Sequence, residues 1–316
     1  MTIPRWSLIP YQPALQPVWD EAVSAACNGH FIFRRDYLDY HADRFRDASF
    51  ILRRSRKVVA LLPAHRRDDS LVSHGGLSFG GWLQVPGCRF QDIEAGFNLL
   101  ADTMAEQKLR RLSYTPIPHP YHNAPCEQDG YLLQRLGARL DGSRLAAFAA
   151  NPADIKRPHE IRRQMKRGAE NLPLDFFETD DLPTFWQHLQ AFLRLRHEAE
   201  PVHSLEEITL LKRRFPAQIR FLVGRHRQRW AVGNVVFLHP RVIRFQYGFR
   251  SLDDARHQTV FRLWDWAVCQ PEMKRPWMDL GTSMNPETGE LEAALHFNKE
   301  TFGARGIPLN HWRWEP

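Results

Sequence analysis

The chain has 316 residues, 43% of them hydrophobic and 25% charged, which suits a globular protein with room for two cores of about 150 residues each. No run of 18 or more apolar residues occurs, which argues against a membrane-spanning helix, and the opening Met1 to Trp6 stretch lacks the apolar core of a secretory signal, so the cytoplasm is the expected location. A net charge of +7 favours an anionic partner such as CoA phosphates, a nucleotide sugar or RNA.

In the first half, Trp6 to Pro10 reads as a short strand, Pro17 to Ala26 as a helix ended before Gly29, and Arg35 to Phe45 as a second helix. Ser49 to Arg53 and Val58 to Leu62 form a hairpin about the basic turn at Ser55, Arg56 and Lys57. Gly75 to Leu83 reads as a glycine-rich third strand. The spacing of Ile93, Phe97, Leu100 and Met104 predicts a helix over Asp92 to Gln107. Leu112 to Ile117 follows as a strand, Gln128 to Leu136 as a helix closed by Gly137, and Arg144 to Ala150 as a last strand.

The second half repeats that order. Leu174 to Phe177 is a strand, and Leu182 to Ala199 an amphipathic helix carrying Phe185, Leu189, Phe192 and Leu195. Ser204 opens another helix, with Glu207 at capping-box spacing. Ile219 to Val223, Ala231 to Leu238 and Val242 to Phe249 form a meander. Gln258 to Cys269 is a helix, Trp277 to Leu280 a strand, Leu291 to Phe302 a helix, and Asn310 to Trp314 a closing strand. Both halves read β-α-α-β-β-β-α-β-α-β, which predicts a duplicated α/β domain over 1–152 and 153–316. Arg44-Phe45 and Arg214-Phe215 echo each other at matching places. The second domain opens on a cationic helix from His159, flanked by Lys156 and Arg157, which reads as a solvated connector or as a surface for phosphates. Cys27, Cys88, Cys126 and Cys269 lack the CxxC spacing of a zinc or redox site and read as buried reduced thiols.

Several short segments stand out: 40–45 (Tyr-His-Ala-Asp-Arg-Phe), 73–81 (Ser-His-Gly-Gly-Leu-Ser-Phe-Gly-Gly), 118–122, 196–203, Gln246-Tyr247, 279–283 and, the most specific, the Asn-Lys-Glu-Thr-Phe-Gly run from Asn298 to Gly303. With the element order they resemble the GNAT acyl-CoA N-acyltransferase fold, and as a tandem pair its FemABX-like branch, including the BioF2-like acetyltransferases often associated with bacterial cell-surface polysaccharide. The resemblance implies mixed central sheets flanked by helices. It also implies an N-acyltransferase that moves an acyl group, in the first instance acetyl, from acetyl-CoA or another acyl-CoA to the amine of a small molecule such as an amino sugar. Attack is direct, with no covalent enzyme intermediate. Fem-type relatives take the acyl group from aminoacyl-tRNA, so tRNA stands as the alternative partner. One departure bears on this choice. A typical GNAT domain holds the CoA pyrophosphate on a glycine-rich loop before a helix N-terminus, whereas Phe249 to Gln258 contains no glycine. Arg250, Arg256 and His257 are then the candidates for the donor phosphates. A protein that only binds nucleic acid or a partner is the competing reading.

Acyl transfer to an amine requires removal of the amine proton, alignment of the two reactants and donors for the developing oxyanion. No Gly-x-Ser-x-Gly nucleophile motif is present. His197 and His203, with Glu207, are the candidates for the base; capping and surface pairing are the other use of these residues. Lys299 is the candidate cation for a phosphate or the oxyanion. Gln246 and Tyr247 lie on the predicted central strand and face opposite sides of the sheet. Asp279, Ser283 and Asn285 follow the fifth strand, where an α/β sheet opens its crevice, though turn chemistry also explains them. His119 and His122 flank a turn, and His74 adjoins Gly75 and Gly76. His119 and His122 have no third ligand nearby in sequence, so no metal is expected.

Overall fold

The computed structural model describes residues 5–316 apart from 74, 252, 286 and 287, with only the backbone of His197 and Ala255. Two compact units result, one of Met1–Arg144 with Pro308–Pro316 and one of Leu145–Ile307. The elements run β1 (Trp6–Pro10), α1 (Gln16–Ala25), α2 (Arg35–Leu38), β2 (Arg46–Asp47), β3 (Phe50–Arg54), β4 (Lys57–Leu62), β5 (His65–Arg67), β6 (Ser70–Val72), β7 (Leu83–Gln84), α3 (Phe90–Glu106), β8 (Arg111–Tyr114), α4 (Gln128–Arg135) and β9 (Arg139–Ala150). They continue α5 (His159–Asn171), β10 (Asp175–Glu178), α6 (Leu182–His197), α7 (Leu205–Arg214), β11 (Ile219–His226), β12 (Arg229–Leu238), β13 (Val242–Arg250), α8 (Thr259–Cys269), β14 (Trp277–Thr282), α9 (Ala293–Phe302) and β15 (Arg305–Trp314).

In the first unit β1, β3, β4 and β7 form one sheet, and β2, β5, β6 and β8 are hydrogen-bonded in that order. The helical spacing on α3 holds: Ile93, Phe97, Leu100 and Met104 are all fully buried, against Trp82, Leu112 and Tyr114. Trp312, Arg313 and Trp314 of β15 pair antiparallel with Tyr114, Ser113 and Leu112, and Trp314 meets Phe97 edge-on. These contacts place Pro308–Pro316 with the first unit rather than with residues 153–307. The expected strand over Gly75 to Leu83 is mostly loop. Gly76 and Gly81 take positive φ (79° and 98°), and a Cβ at Gly81 would lie 2.4 Å from the Tyr114 hydroxyl, so the chain leaves the sheet there. Of the cysteines only Cys126 is buried, and Cys269 is exposed.

In the second unit β10 to β13 form the meander, antiparallel throughout. Phe185 of α6 packs on Phe221 and Phe249, while Leu222, Val232 and Val236 share a core with Phe261, Leu263 and Phe302 from α8 and α9. Alternation along β11 sends Phe221 and Leu222 to opposite faces, so helices cover both sides. β13 and β14 are parallel, and their pairing covers only Val242 with Trp277, Ile243 with Met278, and Arg244 with Asp279. β14 then pairs antiparallel with Ala146–Ala150 of β9.

A buried polar link in the first unit yields a pH test. The Tyr114 hydroxyl donates to Asp129 Oδ2 at 2.5 Å and accepts the Trp82 N–H at 2.7 Å. Burial pushes the Asp129 carboxyl up to about 6, against the pull of its hydrogen bonds from Tyr114 and Gly130. The native state therefore holds this proton more tightly than the unfolded chain, and its stabilising effect fades as pH rises from about 4 to about 6. Urea unfolding across that range should show the stability of wild type falling relative to Asp129→Asn by about 2 to 3 kcal/mol; a difference that stays constant with pH refutes the assignment.

Candidate active site

The second unit contains a half-open pocket of about 500 Å3. Its walls come from Phe245 to Arg250 of β13, Leu280 of β14, Gln258 to Phe261 and Trp264 at the start of α8, Ala294, Leu295, Asn298 and Lys299 of α9, and Phe192 and Arg196 of α6. The strands make room for it because each is irregular just past their last shared rung. On β13 the register with β12 jumps from Val235–Tyr247 to Val236–Phe245, leaving Gln246 as an extra, bulged residue. On β14 the register with β9 shifts between Asp279 and Thr282, and Gly281 takes φ +70°.

Arg244 and Asp279 face each other at that last rung. Arg244 Nη1 donates to Asp279 Oδ2 at 2.8 Å, and its Nε donates to Gln246 Oε1 at 2.7 Å. The other oxygen of Asp279 accepts the Gly281 N–H at 2.7 Å. Asp279 is 1% exposed, so these partners replace the water it has lost.

Lys299 comes from the last turn of α9, and the motif around it explains its placement. Phe302, three residues on, is buried against Phe261 and Trp264. Gly303 ends the helix at φ +112°, with Ala304 N–H reaching back to the Lys299 carbonyl. A Cβ on Gly303 would sit 2.7 Å from Ile155 Cγ2. Lys299 is thus held inward, 7% exposed, and its Nζ donates to Thr282 O at 2.8 Å and Gly281 O at 3.3 Å. Burial lowers its pKa to about 8, with Asp279 opposing the shift and Arg244 adding to it.

Tyr247 also lines the pocket. Its hydroxyl lies 2.6 Å from Nδ1 of buried His203, and its carbonyl accepts from Asn234 Nδ2 at 2.9 Å. Asn234 in turn accepts from Trp264 Nε1 at 3.0 Å. Burial raises the Tyr247 phenol above its ordinary value, which keeps it protonated and able to donate. Near the start of α8, Arg196 and Arg250 both line the pocket. Among the described residues no carboxylate pairs with either, and burial together with the Arg196 charge lowers the pKa of Arg250.

Of the residues singled out in the sequence, Gln246, Tyr247, Arg250 and Lys299 line this pocket, His203 touches Tyr247, and Asp279 reaches the wall through Arg244, which bonds Gln246. Glu207 is a capping group: its carboxylate accepts the Ser204 N–H at 2.8 Å while its own N–H donates to Ser204 Oγ at 3.1 Å. His197 ends α6. Arg256 Nε donates to His257 Nε2 at 3.2 Å in the turn before α8. Ser283 is wholly buried just beyond β14, and Asn285 Oδ1 accepts the Thr288 N–H. His119 and His122 belong to the first unit, where a ring nitrogen of His122 lies 2.8 Å from Ile117 O. His74 lies outside the described residues. Among the described residues no cluster of three metal-ligating side chains occurs. Arg244, Asn234 and Trp264 were not singled out. Only the alternation of polar and apolar residues on β13 could have flagged Arg244; nothing local marks the other two.

No protein-family model matches the sequence, and no curated protein matches it. Solved structures do match. FemX aligns over 98% of this chain and 97% of its own at 10% identity, with a TM-score of 0.69. The C-terminal domain of a putative lysylphosphatidylglycerol synthetase from Agrobacterium fabrum aligns over 94% and 91% at 12% identity and TM-score 0.57. A tandem GNAT protein from the clavulanic acid biosynthesis pathway aligns over 98% of both chains at 13% identity and TM-score 0.53. Likeness at such identities is one of fold. The chain has a tandem GNAT-like α/β fold with mixed central sheets flanked by helices.

The environment of Lys299 can be read directly. A nitrogen-15 titration of lysine side chains, with Lys299→Met to assign the signal, should show one ammonium losing its proton near pH 8 while exposed lysines titrate near 10.4, roughly their free value. A Lys299 midpoint above 10 would contradict the buried geometry.

Proposed function

We propose that the second unit takes an acyl group, acetyl in the simplest case, from acyl-CoA and passes it to the amine of a small molecule such as an amino sugar. The observation that carries this reading is the parting of β13 and β14 after three rungs, with Lys299 and Tyr247 lining the pocket so opened. Backbone N–H groups on strands that have lost their neighbour are preorganised donors for an oxyanion. In this reading the amine nitrogen attacks the thioester carbonyl carbon, the carbonyl oxygen takes up negative charge beside Lys299, and the C–S bond breaks. The amine proton passes to His203 by way of Tyr247, and the thiolate leaves with a proton from the same pair. Lys299 has three N–H bonds as an ammonium, and the two carbonyls of Gly281 and Thr282 use two; the third serves the oxyanion. Asp279 acts through Arg244, which it orients.

Arg250, with Arg196 and the open amides at the start of α8, is assigned to the donor phosphates, and Arg256 and His257 flank the same turn. Ser283 and Asn285 are assigned to the acceptor side, and His197 stays a candidate base on its sequence context alone. For His119 and His122 a substrate contact rests on loop position alone, and for His74 on its adjoining Gly75 and Gly76 in the sequence. No helix among the described residues is long and apolar enough to cross a membrane, and a cytoplasmic location would suit a CoA thioester. The glycine-free turn from Phe249 to Gln258 favours one other reading, transfer from aminoacyl-tRNA as in Fem-type enzymes.

Two measurements test this. Acetyl-CoA at a hundred times its Kd should stabilise the folded protein by about 2.7 kcal/mol, whereas a tRNA user should instead bind tRNA with a steep loss of affinity in salt. With a panel of primary amines and acetyl-CoA, thiol release by Lys299→Ala should fall roughly 100-fold or more, for a stability loss of no more than about 3 kcal/mol from the orphaned carbonyls. Unchanged turnover in that variant removes Lys299 from the mechanism.

A further inference from the structure

The cationic helix α5 has no part in the site described above, yet it is joined to the mouth of the pocket. Gly168 of α5 packs so closely on the turn before α8 that a Cβ there would lie 2.3 Å from His257 O. One helical turn earlier, Gln164 Oε1 accepts from Gln258 Nε2 at 2.8 Å, and Gln258 is itself a wall of the pocket. With Gln164 and Gly168 turned inward, the outer surface of α5 exposes Arg162, Arg163, Lys166 and Arg167. Arg163 pairs with Glu160. Among the described residues no carboxylate pairs with Arg162, Lys166 or Arg167. A row of unneutralised cations on a 13-residue helix, about 20 Å long, is a surface for an extended anionic partner.

Building on the acyl-thioester reading of the pocket, we infer that α5 docks an acidic acyl-carrier protein, whose phosphopantetheine arm delivers the acyl group into the pocket of the second unit. Three observations favour this occupant. First, the turn that would cradle a diphosphate has no glycine and carries Asp253 and Asp254 instead; a carrier-borne arm needs only one phosphodiester, which Arg196 and Arg250 can meet. Second, α5 mixes its cations with exposed Glu160 and Glu170, a pattern that fits discrete carboxylates on a helix better than the unbroken charge of a nucleic acid backbone. Third, neither α5 nor the 255–257 turn contains a Phe, Tyr or Trp, and the one ring exposed on α5 is His159 at its start, whereas proteins that hold single-stranded RNA ends stack successive bases on several aromatic rings. In the reaction the acceptor nitrogen gains the acyl group, the C–S bond breaks, and the carrier keeps its thiol with the proton released by the amine.

The test uses the full chain and its variant Arg162→Glu/Lys166→Glu/Arg167→Glu, with three probes: an acyl-carrier protein acetylated on its phosphopantetheine, acetyl-CoA, and bulk tRNA. The acetylated carrier should bind wild type in a salt-sensitive manner and the variant at least 10-fold more weakly, while the thermal shift produced by acetyl-CoA stays the same in both. Carrier binding that is equal in wild type and variant overturns the inference, as does tRNA binding tighter than the carrier. Stabilisation by acetyl-CoA without any carrier binding also overturns it and leaves the acyl-thioester reading standing. If neither acetyl-CoA nor the carrier binds, both fail together.

Discussion

The pocket depends on one buried ion pair. Arg244 and Asp279 occupy the last rung shared by β13 and β14, and each also bonds the residue that bends its own strand away. Arg244 holds the side chain of Gln246, the bulged residue. Asp279 holds the N–H of Gly281, whose positive φ turns β14. A buried pair of this kind adds little to net stability compared with apolar packing, but leaving one partner alone costs roughly 3–5 kcal/mol. The two strands are therefore kept paired up to that rung, and beyond it the bulge and the turn carry them apart. The carbonyls freed by the turn, at Gly281 and Thr282, are those that receive Lys299.

Lys299 shows which electrostatic effect prevails there. Three influences favour its charge: nearby Asp279, Glu292, and a position near the C-terminal, negative end of α9, the last worth about 0.3–1 kcal/mol. Burial and the Arg244 guanidinium oppose it. The pKa falls to about 8, so burial wins. The amine stays largely protonated at neutral pH but can give up its proton at modest cost.

Sequence and structure agree best where the signal is local. Regular spacing announced α3 and α6, and runs of strand-forming residues announced the meander. Lys299 stood out through the run from Asn298 to Gly303, and the structure gives two residues of that run a physical part: Phe302 anchors the helix end and Gly303 stops it. His203 and Tyr247 are 44 residues apart, and no periodicity reports such a meeting. The bulge at Gln246 was invisible because it is a mismatch between two strands, a property of neither alone. The glycines from Gly75 to Gly81 misled for the opposite reason: they permit many conformations, and it is the Tyr114 hydroxyl, pressed close to Gly81, that decides between them. Glu207 had two uses open in the sequence, and the cap at Ser204 took its carboxylate.

The turn before α8 shows how a lost motif can be informative. A glycine there would adopt positive φ without strain. Gln258 takes φ +51° instead, at a cost of about 1–2 kcal/mol for a residue with a Cβ. What the glutamine offers in return is its side-chain amide, which reaches Gln164 on α5. Arg262 strengthens the same junction, donating to the carbonyls of Gly168 and Leu172 at 3.1 and 3.0 Å. The strained residue thus adds a side-chain bond between the mouth of the pocket and the cationic helix, where glycine would have left the Arg262 bonds and the Gly168 packing to hold the two together.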